Sequence, residues 1–500
     1  MKHVLAIDEG TTGVTCLVIA ADGSVAGRGY REITQHFPRP GWVEHDADEL
    51  FARTLEAGRE AIRQAGHTPD AIGITNQRET VVVWERASGH PVHRAIVWQD
   101  RRTADRCAEL KDREPWIRER SGLVVDPYFS ATKIEWLIRE QRLLERYTPG
   151  QLAIGTVDAW LVWKLTGGAV FATDHTNASR TMLYDINARE WSDELCALFG
   201  VPRESLPEVR ASSGSFGHAG AGHFGAVVPI LGVAGDQQAA LFGQGCWQAG
   251  MGKNTYGTGA FVLLYSGAQR PSAPQGILTT MACDAAGQPA YALEAAIFIA
   301  GAAVQWLRDG LGIVTDAAET GALAESLESN DGVYFVPALV GLGAPAWEPR
   351  ARGTIVGLTR GTGRAHLARA ALEAMAYGTA DVLDAMVSVS GTAFQRLRVD
   401  GGATRNDWLM QFQTDVLGAP VQRPRHVETT AFGAAGLAGI AAGVWPDAAA
   451  FHASQELTTF QPSASRGMVD EWRRGWARAM RAAVAWARDS AVTAEAPHGR

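Results

Sequence analysis

The chain has 500 residues, 46% of them apolar and 20% charged, which is the composition of a folded globular protein. With 46 basic against 54 acidic residues and a net charge of −8, it has no basic surplus for binding nucleic acid. Five scattered cysteines form no C-x-x-C pair, which favours a reducing compartment over a disulfide framework or a zinc site. The first apolar run is interrupted at Asp8, and no apolar stretch is long enough to span a bilayer. We therefore expect a cytoplasmic protein without membrane insertion.

In chain order, strand-like runs alternate with amphipathic helical segments, the pattern of an α/β protein. The predicted strands are residues 3–7, 16–20, 71–75, 95–98, 228–234, 260–265 and 397–399. The predicted helices are residues 50–64, 128–142, 366–389, 406–417 and 471–487. A glycine-bearing segment near 245–252 divides the chain into an N-terminal lobe (1–247) and a C-terminal lobe (248–490). We expect residues 491–500 to form a frayed tail.

Two predicted hairpins, one opening each half of the chain, have small and hydroxylated residues at their tips. The first carries Asp8, then Gly10, Thr11 and Thr12, and the second has the sequence N-T-Y-G-T-G over residues 254–259. Backbone N–H groups in such tips can point at a phosphate, and glycine permits its close approach. Asp8 can hold a magnesium ion directly or through water, although a solvated turn would explain the first tip alone. Together the hairpins predict a duplicated architecture with a nucleotide between two lobes.

Other nucleotide-binding motifs are missing or misplaced. No G-x-x-x-x-G-K-[ST] sequence occurs. A G-x-G-x-x-G sequence does occur at Gly220, Gly222 and Gly225, but no strand leads into it and a strand-like run follows it. We therefore do not interpret it as a dinucleotide-binding loop.

In open α/β sheets, ligands bind at the carboxyl ends of the strands. The predicted strand ends carry Asp8, residues 76–79 (N-Q-R-E), Trp98, Asp236-Gln237 and Gly401-Gly402. There, Arg78 and Glu79 are interpreted as hydrogen-bonding groups for a polar substrate, and a structural ion pair is the alternative. Asp236 could accept a hydroxyl proton during phosphoryl transfer, or it could be a helix N-cap.

The two remaining candidates are a glycine pair and a histidine. Gly401-Gly402 could leave backbone room for an adenine or a phosphate, or it could form a bare turn. His175 has no acid and nucleophile in a pattern around it, so we interpret it as a loop histidine with satisfied hydrogen bonds.

Several longer motifs resemble those of the glycerol kinase branch of the FGGY carbohydrate kinases. They are ITNQRET at 74–80, AIVWQ at 95–99, DPYFS at 126–130, GDQQAALFG at 235–243 and NTYGTG at 254–259. The Tyr-x-Ser-x-x-Lys-x-x-Trp helix of the family matches Tyr128, Ser130, Lys133 and Trp136, and its C-terminal signature matches residues 353–358 and 366–373. The resemblance covers residues 3 to 485. It implies a two-lobed actin/hexokinase-like (ribonuclease H-like) α/β fold with an inter-lobe cleft.

The resemblance also implies an activity, the ATP- and Mg²⁺-dependent phosphorylation of glycerol to sn-glycerol 3-phosphate, in a homo-oligomer (a dimer or a tetramer). It makes Asp236 the general base and Asp8 the magnesium-associated acid. The implied glycerol-binding residues are Arg78, Glu79, Trp98, Tyr128, Asp236, Gln237 and Phe261. The implied nucleotide-binding residues are Thr11, Thr12, Gly13 and Thr258 at the phosphates, and Gly301, Gln305, Gly402 and Asn406 at the adenosine.

Two segments depart from the pattern of the bacterial relatives. Their usual Asp-Gln-Gly-Thr-Thr-Ser-Ser-Arg is replaced by residues 8–15 (D-E-G-T-T-G-V-T), which removes a serine and an arginine that contact phosphate. The loop that carries an arginine for fructose 1,6-bisphosphate in enteric relatives is residues 219–227 here and has none. His223 lies in this loop, but its neighbours do not align with those of the histidine that some Gram-positive relatives phosphorylate.

Two rival functions stay open at this point. One is an FGGY kinase for another polyol or a pentulose. A pocket in which Trp98 and Phe261 enclose a short carbon chain would be too small for a larger sugar. The other is an actin- or Hsp70-like ATP-driven binding protein, which would not need a cluster of Arg78, Glu79, Tyr128, Asp236 and Gln237.

Overall fold

The computed structural model describes residues 2–274, 276–426 and 428–489. The tail expected to fray, residues 491–500, lies outside these ranges. In the first half of the chain the strands are β1 (His3–Glu9), β2 (Gly13–Ala20), β3 (Val25–Glu32), β4 (Glu44–His45), β5 (Ala71–Asn76), β6 (Val81–Glu85), β7 (Ala95–Ile96), β8 (Leu152–Thr156), β9 (Ala172–Asp174), β10 (Tyr184–Asp185), β11 (Glu190–Trp191), β12 (Glu208–Arg210), β13 (His218–Ala219) and β14 (Val228–Gly235). The helices there are α1 (Ala47–Ala65), α2 (Ala104–Glu109), α3 (Glu114–Ser121), α4 (Ser130–Glu140), α5 (Leu143–Arg146), α6 (Val157–Leu165), α7 (His175–Ala178), α8 (Asp193–Phe199), α9 (Ala221–Phe224) and α10 (Asp236–Gly243).

The second half continues with strands and longer helices. The strands are β15 (Met251–Tyr256), β16 (Ala260–Gly267), β17 (Leu278–Cys283), β18 (Pro289–Ile297), β19 (Tyr334–Val336), β20 (Thr354–Val356), β21 (Arg396–Gly401), β22 (Val421–Pro424) and β23 (Leu457–Phe460). The helices are α11 (Gly301–Asp309), α12 (Glu319–Glu325), α13 (Arg364–Ser390), α14 (Asp407–Leu417), α15 (Thr429–Ala441), α16 (Ala448–Ala453) and α17 (Arg466–Asp489). Within the described ranges, no helix combines the length and the apolarity needed to cross a bilayer.

The two main sheets repeat one strand order. The first contains β3-β2-β1-β5-β14 and the second contains β18-β16-β15-β21-β22, each with further strands at its edges. In both, an antiparallel hairpin (β1–β2 or β15–β16) is followed by two parallel strands. This repeat confirms the duplicated α/β architecture that the two hairpins predicted.

The strand register brings the candidate residues to one edge of each sheet. In the first sheet, Asp8 pairs with Thr75, and Gly235 pairs with Asn76, so the chain leaves β1, β5 and β14 at the same level. In the second sheet, Tyr256 pairs with Gly401. Because parallel strands end on the same side, each sheet gathers its polar strand ends at a single edge, as predicted.

Helix ends follow the capping chemistry of the sequence. The Asp46 side chain caps α1 by accepting from the N–H groups of Asp48 and Glu49, and Gly66 ends the helix with φ +69°. Asn406, predicted as the first residue of a helix, is instead the N-cap of α14, and its side chain accepts from the N–H of Leu409.

Two predicted elements are shorter than expected. The strand expected over residues 95–98 ends at Ile96, because ladder pairing with β4 and β6 reaches no further than that residue. The helix expected from Tyr128 begins at Ser130, because Phe129 is extended and the N–H of Tyr128 donates to Asp126. As a result, Trp98 and Tyr128 both lie outside regular elements.

Helix α15 belongs to the second half of the chain but packs on the first sheet. It contacts β1, β5, β14 and α10. Gly73 in β5 lets the backbone of Ala434 approach closely, because a Cβ there would overlap the Ala434 carbonyl. Phe432 and Leu437 of this helix share a buried core with Val4 and Ala6. The lobe boundary predicted at residues 247–248 stays a prediction. After this boundary the chain forms the second sheet and then returns to the first sheet at α15.

Candidate active site

The centre of the site is a buried cluster of charged side chains at the end of β5. Arg78 and Glu79 are 2% and 1% exposed. Glu79 has a left-handed backbone (φ +65°), a conformation that is rare for residues other than glycine and that concentrates at functional sites. Arg78 Nε lies 3.0 Å from Asp236 Oδ1, so the sequence-predicted residues of two strands meet.

Sequence reasoning missed two members of this cluster. Glu294, on β18 of the second sheet, accepts two hydrogen bonds from the guanidinium of Arg78, at 2.7 and 2.9 Å. Arg180 donates to Glu79 at 2.6 Å and to Glu294 at 3.2 Å. Burial by itself would raise the pKa of Glu294, but the guanidinium groups of Arg180 and Arg78 outweigh it and lower this pKa to about 2. The cluster therefore joins the two main sheets through charged groups.

No local sequence signal marked these partners. Glu294 lies in the middle of a mostly apolar strand, and Arg180 follows the short helix α7. A charged residue inside an apolar strand does require a partner, because an unpaired buried charge is very costly. That rule could have singled out Glu294, although it could not have named Arg78 as its partner.

Asp236 is the first residue of α10 and is the most accessible member of the cluster, with a side chain 33% exposed. Its Oδ1 accepts from the N–H of Gln237 at 2.6 Å. Gln237 in turn accepts from Lys253 Nζ at 2.5 Å, and Lys253 also donates to Thr255 Oγ1 at 2.8 Å. Lys253, another residue that sequence reasoning missed, is buried on the second hairpin and links it to the start of α10.

An aromatic wall stands beside the cluster. The rings of Trp98 and Tyr128 meet edge to face, with centroids 5.4 Å apart. Trp98 Nε1 donates to Thr11 Oγ1 at 2.8 Å, which ties this wall to the tip of the first hairpin. Phe261, the other aromatic candidate, is partly buried on β16 opposite Thr255.

The two hairpin tips present glycine and threonine, as predicted. Thr12 and Thr258 are exposed. The carbonyl of Thr258 accepts from the N–H groups of Ala300 and Ala302, which fixes the second tip against the start of α11. Gly13 is buried, and a Cβ at this position would lie 2.6 Å from the hydroxyl of Tyr30. Position 13 therefore has no room for the serine side chain of the bacterial relatives, because Tyr30 of β3 fills that space.

The five adenosine and phosphate candidates of the second half line one cavity of about 550 Å³. They are Thr258, Gly301, Gln305, Gly402 and Asn406. Gly401, at φ +91°, turns the chain into this cavity at the end of β21. The residues come from three separate segments, so their convergence supports the grouping that the sequence proposed. A cavity of this size is within the range of small-molecule sites.

Asp8 lies near two other acids. Burial, followed by the nearby carboxylates of Asp236 and Glu428, raises the pKa of Asp8 to about 7. A divalent cation would remove this repulsion, so the residues fit a magnesium ion. Within the described ranges no three acidic, histidine or cysteine side chains are close enough to form a closed metal site. Mg²⁺ usually keeps several waters and binds one or two carboxylates plus substrate phosphates, which suits this arrangement.

At the glycine-rich loop 219–227 the sequence expectation was wrong in detail, because the two-residue strand β13 leads into the loop and the one-turn helix α9 lies within it. The loop is still not the turn of a parallel βαβ unit, because β13 pairs antiparallel with β14. Arg59 reaches it from α1 and donates to the carbonyls of Gly222 and His223 at 3.0 and 2.8 Å. Burial, then Arg59, lowers the pKa of His223. His175 starts α7 and hydrogen-bonds Tyr184, so it is a satisfied histidine within a short helix rather than a loop.

Comparison with known proteins identifies the family of this chain. The family model for the N-terminal domain of the FGGY family of carbohydrate kinases matches residues 3–243, and that for the C-terminal domain matches residues 252–442. The chain belongs to the FGGY family of carbohydrate kinases.

Its relatives in sequence include a glycerol kinase of Rhodopirellula baltica, 51% identical over 98% of this chain and 92% of the relative. A glycerol kinase of a Geobacter species is 53% identical over 97% of this chain and 99% of its own. Among solved structures, Plasmodium falciparum glycerol kinase with ADP superposes with a TM-score of 0.92 at 33% identity, covering 97% of this chain and 98% of that one. The xylulose kinase of Rhodospirillum rubrum shares the fold, with a TM-score of 0.86 at 23% identity, covering 97% of this chain and all of that one. The actin/hexokinase-like fold is thereby confirmed.

Proposed function

We propose that the protein is an ATP-dependent glycerol kinase, which transfers the γ-phosphoryl group of ATP to a terminal hydroxyl of glycerol and yields sn-glycerol 3-phosphate. The observation that carries this proposal is the convergence of Arg78, Glu79 and Asp236 beside the wall of Trp98 and Tyr128. Charged acceptors and donors next to aromatic rings suit a short polyol, whose hydroxyls need partners and whose carbons need an apolar surface. The full-length similarity to glycerol kinases supports the same assignment.

In this proposal Asp236 is the general base. Its Oδ1 accepts a hydrogen bond from the N–H of Gln237 and forms an ion pair with Arg78, while its Oδ2 accepts no hydrogen bond from the described residues. Oδ2 can therefore receive the proton of the attacking hydroxyl. Arg78 and Glu79 bind and orient the hydroxyls, and Gln237 fixes the terminal one near Asp236. Phosphoryl transfer asks mainly for such positioning and for charge stabilisation.

The nucleotide would occupy the 550 Å³ cavity, with its phosphates directed at the hairpin tips. Backbone N–H groups near Thr11, Thr12 and Thr258 would donate to the phosphate oxygens. Asp8 would hold the magnesium ion, which when bound neutralises charge on the transferring phosphoryl group. Trp98 and Phe261 would exclude water from the acceptor alcohol, which prevents ATP hydrolysis.

The test is a coupled assay of ADP release across a panel of glycerol, 1,2-propanediol, xylulose and ribulose. We expect glycerol to give the highest kcat/KM, because buried polar groups reject an acceptor that leaves them unpaired. Higher activity with xylulose or ribulose would assign the protein to the pentulose kinases. ATP turnover independent of every acceptor would instead favour an ATP-driven binding protein. The cytoplasmic location and the homo-oligomer stay predictions of the sequence.

A further inference from the structure

We propose that the first turn of α4 is a positioning device for the acceptor site, with Lys133 as its central residue. This inference rests on the proposed function. Lys133 is fully buried, and its ammonium group donates to the backbone carbonyls of Tyr128 at 3.0 Å and Trp98 at 3.3 Å. From the same turn, Ser130 Oγ donates to the carbonyl of Glu79 at 3.0 Å. Two side chains of one helical turn thus hold the backbones of three proposed glycerol-binding residues.

These three residues need such support because regular secondary structure does not fix them. Trp98 follows the end of β7, Tyr128 precedes α4, and Glu79 occupies a left-handed turn after β5. Their carbonyls are therefore outside the sheet ladders and helical hydrogen bonds that hold most backbones in place. Donation from α4 replaces those bonds and brings three distant segments into one wall.

Neither the helix nor the buried surroundings of residue 133 favour a lysine there. Its charge lies in the first turn of a helix, where the helix dipole repels cations. Burial lowers the pKa of Lys133 to about 7, an effect that the carboxylates of Glu79, Asp100 and Asp126 oppose and the Arg101 guanidinium increases. Helix propensity alone would be served equally by leucine or methionine here. Unlike an apolar side chain, Lys133 can donate hydrogen bonds to the carbonyls of Trp98 and Tyr128.

The consequence for the reaction is geometric. Lys133 touches neither the proposed base nor the nucleotide cavity, so it is a positioning residue and not a catalytic one. If its contacts are lost, the ring of Trp98 and the ring of Tyr128 are free to shift relative to Arg78 and Asp236. A displacement of about 1 Å of a positioned group can cost up to 100-fold in rate. The loss should appear with the acceptor alcohol and not with ATP.

The test compares Lys133→Met with a matched control, Lys111→Met. Lys111 also donates to a backbone carbonyl, that of Val125 at 3.0 Å, but it is largely exposed and contacts no proposed acceptor residue. Wild type is first assayed with glycerol, so failure of the proposed function would be seen before any variant is made. For Lys133→Met we expect kcat/KM for glycerol to fall about 10- to 100-fold, with the KM for ATP within about twofold of wild type. Lys111→Met should retain both constants.

A second variant covers the case in which Lys133→Met does not fold. Ser130→Ala removes one hydroxyl and adds no volume, and it should raise the KM for glycerol about 2- to 12-fold, as expected for one net hydrogen bond. The proposal is overturned if a folded Lys133→Met keeps its kcat/KM for glycerol within about threefold of wild type. It is also overturned if glycerol and ATP constants deteriorate equally, or if Lys133→Met does not fold and Ser130→Ala leaves the KM for glycerol unchanged.

Discussion

Glu294→Gln separates the role of the buried cluster from that of the proposed base. Glutamine keeps the shape of the side chain but has one acceptor oxygen in place of two, and it has no charge. Of the two hydrogen bonds from Arg78, at 2.7 and 2.9 Å, only one can persist. Arg180, which donates to the Oε1 of Glu294 at 3.2 Å, then competes for the remaining acceptor.

The magnitude follows from the lost charge-assisted bond. Hydrogen bonds to charged groups contribute about 1.5–3 kcal/mol, which corresponds to about 10- to 150-fold in kcat/KM if all of it is needed to position Arg78. The same carboxylate also stabilises the fold. Its pKa is lowered from 4.5 to about 2, which is worth about 3 kcal/mol at neutral pH.

Because the pKa of Glu294 is lower in the folded protein, its stabilisation is fully present above pH 4.5 and is lost as the pH falls toward 2. The stability gap between wild type and Glu294→Gln should therefore be widest at neutral pH and should narrow through this window. Acid unfolding followed by tryptophan fluorescence measures it, beside glycerol kinetics at pH 7.5.

Glu373→Gln is the control for general loss of stability. It breaks the buried ion pair of Arg369 and Glu373, 2.8 Å apart in α13, without touching Arg78. We expect it to destabilise the protein and to leave the KM for glycerol unchanged. Equal glycerol kinetics in Glu294→Gln and wild type would refute the reasoning that this carboxylate holds Arg78 in place.

Three further predictions concern the base, the nucleotide cavity and regulation. Asp236→Asn should lower kcat by about 10²- to 10⁴-fold with glycerol binding retained; turnover within about threefold of wild type would contradict the assignment of the base. Gly401 has φ +91° and ψ 171°, a conformation essentially restricted to glycine, and a Cβ there would lie 2.2 Å from the carbonyl oxygen of Tyr256. Gly401→Ala should therefore cost at least about 1–3 kcal/mol of stability and raise the KM for ATP. Initial rates at fixed glycerol and ATP should not respond to fructose 1,6-bisphosphate at neutral pH, because the 219–227 loop has no arginine of its own and Arg59 is engaged by its carbonyls. Saturable inhibition that survives His223→Ala would show that an effector site lies elsewhere.

Much of the fold was readable because local signals and tertiary structure agree. The hairpin tips, the cap at Asp46 and the stop at Gly66 follow from residue chemistry within a few positions. The strand ends could be grouped because parallel strands must end on one side of a sheet. This rule predicts that Asp8, Arg78 and Asp236 lie at one edge of the first sheet, and the strand register places them there.

The missing part consists of partners that are distant in sequence. Glu294 and Arg78 are 216 positions apart, and neither strand indicates the other. For Lys133 the sequence offers only its place in a family motif, because its contacts are with two carbonyls outside regular elements. The predicted β7 is too long because the apolar run continues past Ile96, where strand pairing stops. The predicted α4 begins too early because apolar periodicity does not reveal the extended backbone of Phe129.

The placement of α15 has a consequence for how the chain reaches its folded state during synthesis. The strands of the first sheet are complete at Gly235, but the helix that covers one of its apolar faces begins only at Thr429. At about 5–20 residues per second, a ribosome needs about 10–40 s to make the intervening segment of about 190 residues. Throughout that interval Val4, Ala6 and their neighbours lack the helix that buries them in the finished protein. We therefore expect chaperones that shield exposed apolar surface to bind the nascent N-terminal half. We also expect this half not to fold when it is expressed without α15.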